Sequence, residues 1–345
     1  MTKSSPEPVP VCILGASGYS GQELLRRLIG HQGVRLIHAF AQTNAGLPVT
    51  ELVPSLHGRT TLRFEPFSLE AAAESRMAFV ALPSGEALHI VPQLLDRGVM
   101  VIDLGGDFRL RDPNLYQKAY GRKHPAPELL DRSVYGLSEW NRQSIAGASL
   151  IANPGCYPTS VLLPVLPLLK EGIIDSTAVH VSSMSGVSGA GRTGHVELSF
   201  AEVNESVRAY KVGVHQHQPE MEAFCRTFAG TDARLNFVAH LLPLTRGIYS
   251  TMFAGLQPNA DVSTIRSIYE RYYGNEPFVR ILDGKAPEIA EVRGSNRIDI
   301  GFTINSSTGG VTLLAAIDNL VKGAAGQAIQ NFNIRYGFTE TEGLV

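Results

Sequence analysis

The sequence predicts a two-part α/β protein, in which a doubly wound parallel sheet is followed by an α+β domain with a mixed sheet. Three observations support this expectation. The chain has 345 residues, enough for two domains of roughly 150 residues each. Strand-like and helix-like segments alternate in its first part. Strand-like runs dominate its second part, and two of them are joined by a short glycine-containing turn.

The first part contains four short apolar runs that are typical of strands, at Val9–Leu14, Val34–Ala41, Met77–Leu82 and Val99–Asp103. Apolar residues at helical spacing follow the first run over Gln22–Ile29 and the third over Gly85–Arg97. Strands that alternate with helices favour a parallel sheet covered on both faces, as in a Rossmann-type domain.

The second part reads as a larger, mixed or antiparallel sheet with helices. Six runs have strand character: Thr177–Ser183, Leu235–Leu242, Gly247–Gln257, Val279–Ile281, Asp299–Asn305 and Val311–Ile317. Three segments have helix character: Gln218–Phe228, Asp261–Tyr273 and Asn319–Phe332. We expect the last helix to return to the first domain. The predicted domains are therefore residues 1–155, completed by 318–345, and residues 156–317.

Composition narrows the class of protein. Hydrophobic residues make up 44% of the chain and charged residues 18%, with a net charge of −2 and no long basic run. Nucleic acid is therefore not an expected partner. Three widely spaced cysteines suit a reducing compartment rather than a disulfide framework. The apolar run Val161–Leu169 is too short to span a bilayer and contains two prolines. We expect a cytoplasmic protein without a membrane partner.

Cys156 has the sequence context of a reactive cysteine. It follows the turn formed by Asn153, Pro154 and Gly155 and precedes a predicted helix over Tyr157–Lys170. The N–H groups and dipole of a helix start favour thiolate over thiol. A small buried core residue is the competing interpretation. The turn and the polar residues after it favour a nucleophile.

A glycine-rich turn follows the first strand and opens the first helix, which is the context of a dinucleotide-binding loop. Its spacing is G-x-x-G-x-x-G. Gly15 permits the sharp exit, Gly18 the approach of a pyrophosphate, and Gly21 helix-to-strand packing. We predict that this turn binds the cofactor through Gly15, Ser17, Gly18, Tyr19, Ser20 and Gly21.

The end of the second strand indicates which dinucleotide binds. NAD-binding domains usually place an acidic residue about 20 residues after the glycine turn. The segment 38–46 contains no carboxylate, whereas Gln42, Thr43 and Asn44 can donate hydrogen bonds to a 2′-phosphate. The sequence therefore predicts NADP as the cofactor, with Thr43 among its contacts.

Two histidines, His215 and His217, precede a predicted helix and suit acid/base chemistry. In an extended segment their side chains point to opposite sides, so only one of them can face Cys156. A pair of loop histidines and a metal pair are the competing interpretations. The second lacks a further ligand cluster, and we predict no metal.

Other residues are candidates for binding anions. The glycine-rich loop 185–192 offers backbone N–H groups, and we expect Gly186 and Gly189 to contact the cofactor; a flexible surface loop is the alternative.

Arg109 follows the fourth strand, at the sheet edge where open α/β domains bind ligands. Arg246 precedes an apolar strand. Guanidinium groups suit phosphate and carboxylate, although a surface salt bridge is the alternative for either arginine.

These motifs, taken in order, resemble the N-acetyl-gamma-glutamyl-phosphate reductases of arginine biosynthesis. The likeness covers nearly the whole chain and is carried by the segments 15–21, 153–159, 185–192, 215–220 and 318–327. It implies an NADP-dependent reduction of an acyl phosphate to N-acetylglutamate semialdehyde with release of inorganic phosphate. It also implies a homo-oligomer, dimer or tetramer.

The resemblance assigns roles to residues. Cys156 is implied as the nucleophile that forms a thioester, His217 as the acid/base and Asn319 as a neighbour of the nicotinamide. Arg109 is then expected to hold the phosphate and Arg246 the substrate carboxylate. One departure is the sequence Pro83-Ser-Gly85 in place of an expected Pro-His-Gly, in a segment where Pro83 is a predicted cofactor contact.

Three alternative functions remain open from the sequence. Aspartate-semialdehyde dehydrogenase shares the chemistry, but the sequence around the cysteine in that family resembles Asn-Cys-Thr, whereas this chain has Asn153-Pro-Gly-Cys156. A lysine-pathway reductase acting on an aminoadipyl phosphate differs only in its pocket. A non-catalytic NADP-sensing regulator is the alternative from another class, and the presence of both Cys156 and His217 argues against it.

Overall fold

The computed structural model describes residues 7–192, 194, 196–282 and 284–345. It divides into two compact units. The first comprises the described residues up to Tyr116 together with Arg122–Pro154 and Ala324–Val345. The second comprises Gln117–Gly121 and the described residues of Gly155–Gly323.

The first unit contains a seven-stranded sheet in which every pair of neighbours is parallel. Its spatial order is β3-β2-β1-β4-β5-β7-β6. The strands are β1 Val9–Leu14, β2 Val34–Phe40, β3 Phe64–Glu65, β4 Met77–Val80, β5 Met100–Asp103, β6 Val134–Tyr135 and β7 Leu150–Ala152. The central strands are continuous apolar runs because a parallel sheet is buried on both faces.

The second unit contains a seven-stranded mixed sheet with the order β12-β13-β14-β11-β8-β10-β9. Its strands are β8 Val179–Gly186, β9 Arg208–Tyr210, β10 Leu235–Leu242, β11 Ile248–Gly255, β12 Val279–Ile281, β13 Ile298–Asn305 and β14 Gly310–Ile317. The pairs β8/β10 and β12/β13 are parallel and the others antiparallel. The predicted fold class, a parallel-sheet domain plus a mixed-sheet domain, is confirmed.

Helices connect these strands. The α-helices are α1 Tyr19–Leu28, α2 Val49–Leu52, α3 Leu69–Ala72, α4 Ala87–Asp96, α5 Pro113–Tyr120, α6 Glu128–Arg132, α7 Ser138–Gly147, α8 Cys156–Lys170, α9 Phe200–Val203, α10 His217–Phe224, α11 Val262–Tyr273, α12 Ile289–Val292 and α13 Gly326–Tyr336. Short 3₁₀ turns cover Pro54–Leu56, Val187–Ala190 and Val196–Leu198. Two π-helical turns cover Cys225–Ala229 and Val321–Ala325.

The last predicted helix is not a single α-helix. A single helix over Asn319–Phe332 is wrong, because a π turn precedes α13. The carboxylate of Asp318 accepts hydrogen bonds from the N–H groups of Leu320 and Val321, and its carbonyl accepts one from Gly323, five residues on. The two side-chain bonds are those of an N-cap, so the chain becomes helical here, and the bond spanning five residues gives its first turn π rather than α geometry.

Helix α8 explains how the second unit is packed. Every residue from Tyr157 to Leu169 is buried, and α8 packs against β11 and β14. On that face the sheet presents alternate apolar side chains such as Val181, Ile248 and Leu313. Within the described ranges, no helix is long and apolar enough to cross a membrane.

Candidate active site

Cys156 is the first residue of α8, as the sequence predicts. Gly155 precedes it in an extended conformation, with φ −65° and ψ 152°. The thiol does not take part in a disulfide and is partly exposed. The first N–H groups of a helix have no partner within that helix, so Cys156 lies at a positively polarised helix start. This position stabilises negative charge on sulfur.

Gly323 allows the chain to pass close to Cys156. A Cβ atom built on Gly323 would lie 2.8 Å from the Cβ of Cys156 and 3.3 Å from its Cα. Real Cβ atoms do not approach so closely, so any side chain at this position would displace Cys156 or the π turn. The glycine in this C-terminal motif is therefore a packing requirement of the site.

Glu220 joins the cysteine turn to the histidine helix. It is fully buried on α10, and its Oε1 accepts a hydrogen bond of 2.8 Å from the N–H of Gly155. The sequence analysis included position 220 only in the motif segment 215–220 and missed this contact. A buried carboxylate requires a partner, which is the signal that could have identified it.

The two histidines do not lie on an extended segment, and that prediction is wrong. Gln216 has helical dihedrals, and His217 begins α10. The backbone N–H of His217 donates to Nδ1 of His215 at 3.1 Å. This local bond turns the chain into the helix, so the two rings lie only 4.8 Å apart between centroids. Both rings therefore line the same cavity as Cys156.

The two histidines differ in environment. His215 is 4% exposed and packs edge-on against Tyr157, Tyr210 and Phe237. Burial, reinforced by the charge of Lys211, lowers the pKa of His215 to about 4. Its Nδ1 accepts the hydrogen bond from the backbone N–H of His217. His215 is thus a neutral ring near pH 7, and the acid/base role of His217 stays a prediction.

Tyrosines complete the wall of the cavity. The hydroxyl of Tyr210 donates to that of Tyr157 at 3.0 Å. Burial raises the pKa of Tyr157 well above its usual range and that of Tyr210 to about 12, so both hydroxyls stay protonated. The cavity has a volume of about 720 Å³, within the range of small-molecule sites.

The predicted cofactor turn has the form of a pyrophosphate cradle. Gly15 has φ +77°, and a Cβ atom there would lie 2.3 Å from the carbonyl oxygen of Ala81. A Cβ on Gly21 would lie 2.3 Å from the carbonyl oxygen of Gly15. At Gly18 a Cβ would meet only that same carbonyl, at 3.4 Å. Gly15 and Gly21 therefore serve packing, and Gly18 leaves the start of α1 open to a phosphate. These residues fit a dinucleotide.

Further predicted cofactor residues lie at the same edge of the first sheet. Thr43 and Pro83 are exposed and follow the carboxyl ends of β2 and β4. The sequence prediction missed Arg63, whose guanidinium donates to the carbonyl of Gly46 beside the Thr43 loop. Arg63 is distant from Thr43 in the sequence, and the pairing of β3 with β2 brings the two segments together.

The departure from the expected Pro-His-Gly has a local explanation. The Ser84 hydroxyl donates to Oδ1 of the buried Asp107 at 2.9 Å. The N–H of Gly85 donates to Oδ2 of the same carboxylate at 2.6 Å. Serine therefore shapes this turn through Asp107.

Gly186, Gly189 and Asn319 belong to the second unit. A Cβ on Gly186 would lie 2.7 Å from the backbone of Thr245, so glycine is needed where these segments meet. Gly186 and Gly189 both line the cavity. The Asn319 amide donates to the Ser188 hydroxyl at 2.9 Å, which fixes this loop.

The two predicted anion-binding arginines are engaged within their own units. Arg109 is 6% exposed, and its guanidinium donates to the carbonyls of Asn153 and Leu104 at 2.8 and 2.9 Å. Arg246 forms an ion pair of 3.1 Å with the buried Asp318. Their roles toward phosphate and carboxylate stay predictions.

The other two cysteines are core residues. Cys12 lies in β1 and Cys225 begins the π turn after α10, and both are fully buried. Burial raises the pKa of each thiol to about 12. These thiols are unreactive at neutral pH, in contrast to the partly exposed Cys156 at its helix start.

Fold and site together define the class of protein. Residues 10–148 match the family model described as semialdehyde dehydrogenase, NAD binding domain, and residues 156–319 match semialdehyde dehydrogenase, dimerisation domain. Solved structures show the same fold. An aspartate semialdehyde dehydrogenase II from Vibrio cholerae has a TM-score of 0.74 at 17% identity, covering 96% of this chain and 99% of that one. An aspartate semialdehyde dehydrogenase with NADP from Candida albicans has a TM-score of 0.72 at 15% identity, covering 95% and 98%.

Sequence relatives identify the family within this class. Proteins named N-acetyl-gamma-glutamyl-phosphate reductase are 46% identical in Desulfotalea psychrophila, 48% in Pelotomaculum thermopropionicum and 44% in Geobacillus stearothermophilus. Each match covers 97% of this chain and 97% or 98% of the relative. The chain belongs to the N-acetyl-gamma-glutamyl-phosphate reductase family and is an oxidoreductase of the semialdehyde dehydrogenase class. The resemblance stated from the sequence is confirmed.

Proposed function

We propose that this protein reduces N-acetyl-γ-glutamyl phosphate to N-acetyl-L-glutamate 5-semialdehyde in arginine biosynthesis, with NADPH as reductant. One observation supports this most strongly. Cys156, at the start of α8, and His217, at the start of α10, line one cavity, and the Glu220–Gly155 hydrogen bond joins their two segments. The chain is also 44–48% identical to three proteins that carry this activity in their names.

Cys156 performs the first step of the proposed mechanism. Its thiolate attacks the acyl carbon, the bond from that carbon to the phosphate oxygen breaks, and inorganic phosphate leaves. A thioester on Cys156 remains. The positive end of α8 stabilises the thiolate before attack and again when sulfur departs. Cys12 and Cys225, being buried, cannot take this role.

His217 manages the proton in the second step. NADPH, when bound, supplies the hydride that reduces the thioester carbonyl. His217 then donates a proton to the oxygen of the hemithioacetal and accepts it back as the carbon–sulfur bond breaks to release the aldehyde. Acid/base help of this kind contributes about 10²–10⁴-fold. Neutral His215 supports His217 by accepting its backbone N–H.

NADP is bound by the first unit in this proposal. The N–H groups at the start of α1 hold the pyrophosphate, with Gly15, Gly18 and Gly21 forming the cradle. Thr43 donates to the 2′-phosphate, and the neighbouring Arg63 supplies a positive charge. The absence of a carboxylate in the segment 38–46 supports the same preference.

A second copy of this chain is the proposed partner. Helix α8 covers one face of the second sheet, whereas the other face presents apolar side chains such as Met184 and Phe253, which are 36% and 48% exposed. They belong to one face because β8 and β11 pair in register. Together with the match to a dimerisation domain, this supports a homodimer or tetramer joined through this face.

Met184→Asp should then lower the molar mass in solution, and Val262→Asp, also on an exposed apolar residue, should leave it unchanged.

We also propose a cytoplasmic location, because none of the three cysteines forms a disulfide, and cysteines stay reduced in reducing compartments.

The substrate assignment is tested by phosphate-dependent reduction of NADP⁺. N-acetylglutamate semialdehyde should support the reaction, and aspartate semialdehyde should support it far less well. Equal or better use of aspartate semialdehyde, or no requirement for phosphate, would refute the assignment.

A further inference from the structure

Two cations line the cavity that contains the nucleophile. Among the described lysine and arginine side chains, Arg208 and Lys211 are the ones that line it, beside Cys156 and His217. Glu197 is the one carboxylate among the described lining residues. The cavity is therefore net positive on the side of these two residues, which suits an anionic ligand.

Arg208 is held in place by backbone structure. It opens β9, the edge strand that pairs antiparallel with β10, where it lies opposite Leu241. Its Nη2 donates to the backbone carbonyl of Glu197 at 2.6 Å. Tyr210, two residues on, is anchored to Tyr157 beside the nucleophile. A guanidinium has five N–H donors, so one bond to a carbonyl orients it and leaves others for a ligand.

Lys211 is positioned at the cost of backbone strain. Its φ of 47° lies in the left-handed region, which a non-glycine residue rarely adopts. Its ammonium donates to Oε1 of Gln216 at 3.1 Å, and its carbonyl accepts the N–H of Val214. Its charge also reaches His215, whose pKa it helps to lower. Strain of this kind persists at functional sites, where the surrounding structure holds it.

We propose that Arg208 and Lys211 bind the anionic groups of the substrate, its carboxylate and its phosphoryl group, in the Cys156 cavity. This inference rests on the proposed function and names the residues that recognise that substrate. The acyl phosphate carries two anionic groups, and the cavity supplies two cations. This assignment replaces the one expected from the resemblance, because Arg109 is bonded to backbone carbonyls and Arg246 to Asp318. Guanidinium suits a planar carboxylate, whereas the ammonium of lysine is a point charge.

Reverse-direction kinetics separate the two anions, because semialdehyde and phosphate are then separate substrates. Arg208→Gln and Lys211→Met should each raise the KM of one of them by about 10–100-fold, as expected for a lost charge-assisted hydrogen bond. Arg208→Lys should recover part of the loss. Arg297→Gln is the matched control, since Arg297 is an exposed arginine that also donates to a backbone carbonyl. Both KM values unchanged, or an equal effect in the control, would overturn the inference.

Alkylation of Cys156 tests the same charges without catalysis. Iodoacetate is an anion and iodoacetamide is neutral, and each transfers a carbon to sulfur with loss of iodide. The rate with iodoacetate divided by the rate with iodoacetamide should be high for Cys156 in the wild-type protein. This ratio should fall several-fold in Arg208→Gln and Lys211→Met, because the positive charge that attracts the anion is lost. An unchanged ratio would overturn the inference, even if the wild-type enzyme proved inactive on the proposed substrate.

Discussion

The carboxylate of Glu220 accepts a hydrogen bond of 2.8 Å from the backbone N–H of Gly155, one residue before Cys156. Because this N–H is buried, removing its acceptor leaves a polar group unpaired, which costs about 1–3 kcal/mol. We expect Glu220→Ala to lower the free energy of unfolding by this amount and to reduce kcat. Glu220→Gln keeps an acceptor oxygen and should restore most of both. Denaturant unfolding and steady-state rates measure the two effects, and equal behaviour of the two variants would contradict this role.

Cys156 should be the only cysteine required for turnover. Cys156→Ser should lower kcat by more than about 10³-fold, because a serine hydroxyl is not ionised at neutral pH. Cys12→Ser and Cys225→Ser place a hydroxyl in the core and should affect stability rather than chemistry. NADPH oxidation is measured beside circular dichroism. A folded but inactive Cys225→Ser protein would refute the assignment.

His217→Asn should reduce kcat by about 10²–10⁴-fold, the range for a lost acid/base. It should also remove one limb of the pH profile of kcat/KM. His215→Asn should retain that limb, because His215 is neutral over the working pH range with a pKa of about 4. If the limb instead disappears in the His215 variant, the two roles are reversed.

His215 also predicts how stability depends on pH. Its pKa is about 4 in the folded protein, against an ordinary value of 6.5 for a solvated histidine. Between these values the unfolded chain binds more protons, so the free energy of unfolding falls as the pH drops from 6.5 toward 4. His215→Gln should make this fall shallower, and His57→Gln, at an exposed histidine, should not. Chemical denaturation at several pH values tests this, with an unchanged slope in the His215 variant as the contrary result.

Arg63 should favour NADPH over NADH. Arg63→Gln should weaken binding of NADP⁺ by about tenfold or more and leave NAD⁺ binding nearly unchanged, since only the former carries the 2′-phosphate. Thr43→Asp should act in the same direction by repulsion. Calorimetric titration with 2′,5′-ADP and 5′-AMP measures this without turnover. Arg59→Gln is the control, and equal losses for both nucleotides would argue against the role.

Apolar periodicity predicted the long elements well, and three strands, Val9–Leu14, Leu235–Leu242 and Val279–Ile281, have the predicted bounds. These elements are recognisable because their burial requires apolar residues at alternate or consecutive positions of the sequence. The two-residue strands Phe64–Glu65 and Val134–Tyr135 are too short to leave such a pattern.

The site was less predictable where tertiary contacts decide it. Cys156 was recognisable from its turn and helix. The joint placement of His215 and His217 depends on one hydrogen bond between ring and backbone, which periodicity cannot detect. Arg208 and Lys211 are exposed cations like many others in the sequence. They are distinguished only by β9 and the residue after it, which bring their side chains to the cavity lined by Cys156.

The contact between Gly323 and Cys156 has a consequence for biosynthesis. The two residues are far apart in sequence, so a ribosome must translate almost the whole catalytic unit before the chain can close over the thiol. A nascent or truncated chain that ends before Gly323 cannot make this contact. The reactive sulfur therefore reaches its final surroundings only near the end of synthesis, and partial products do not assemble a complete site.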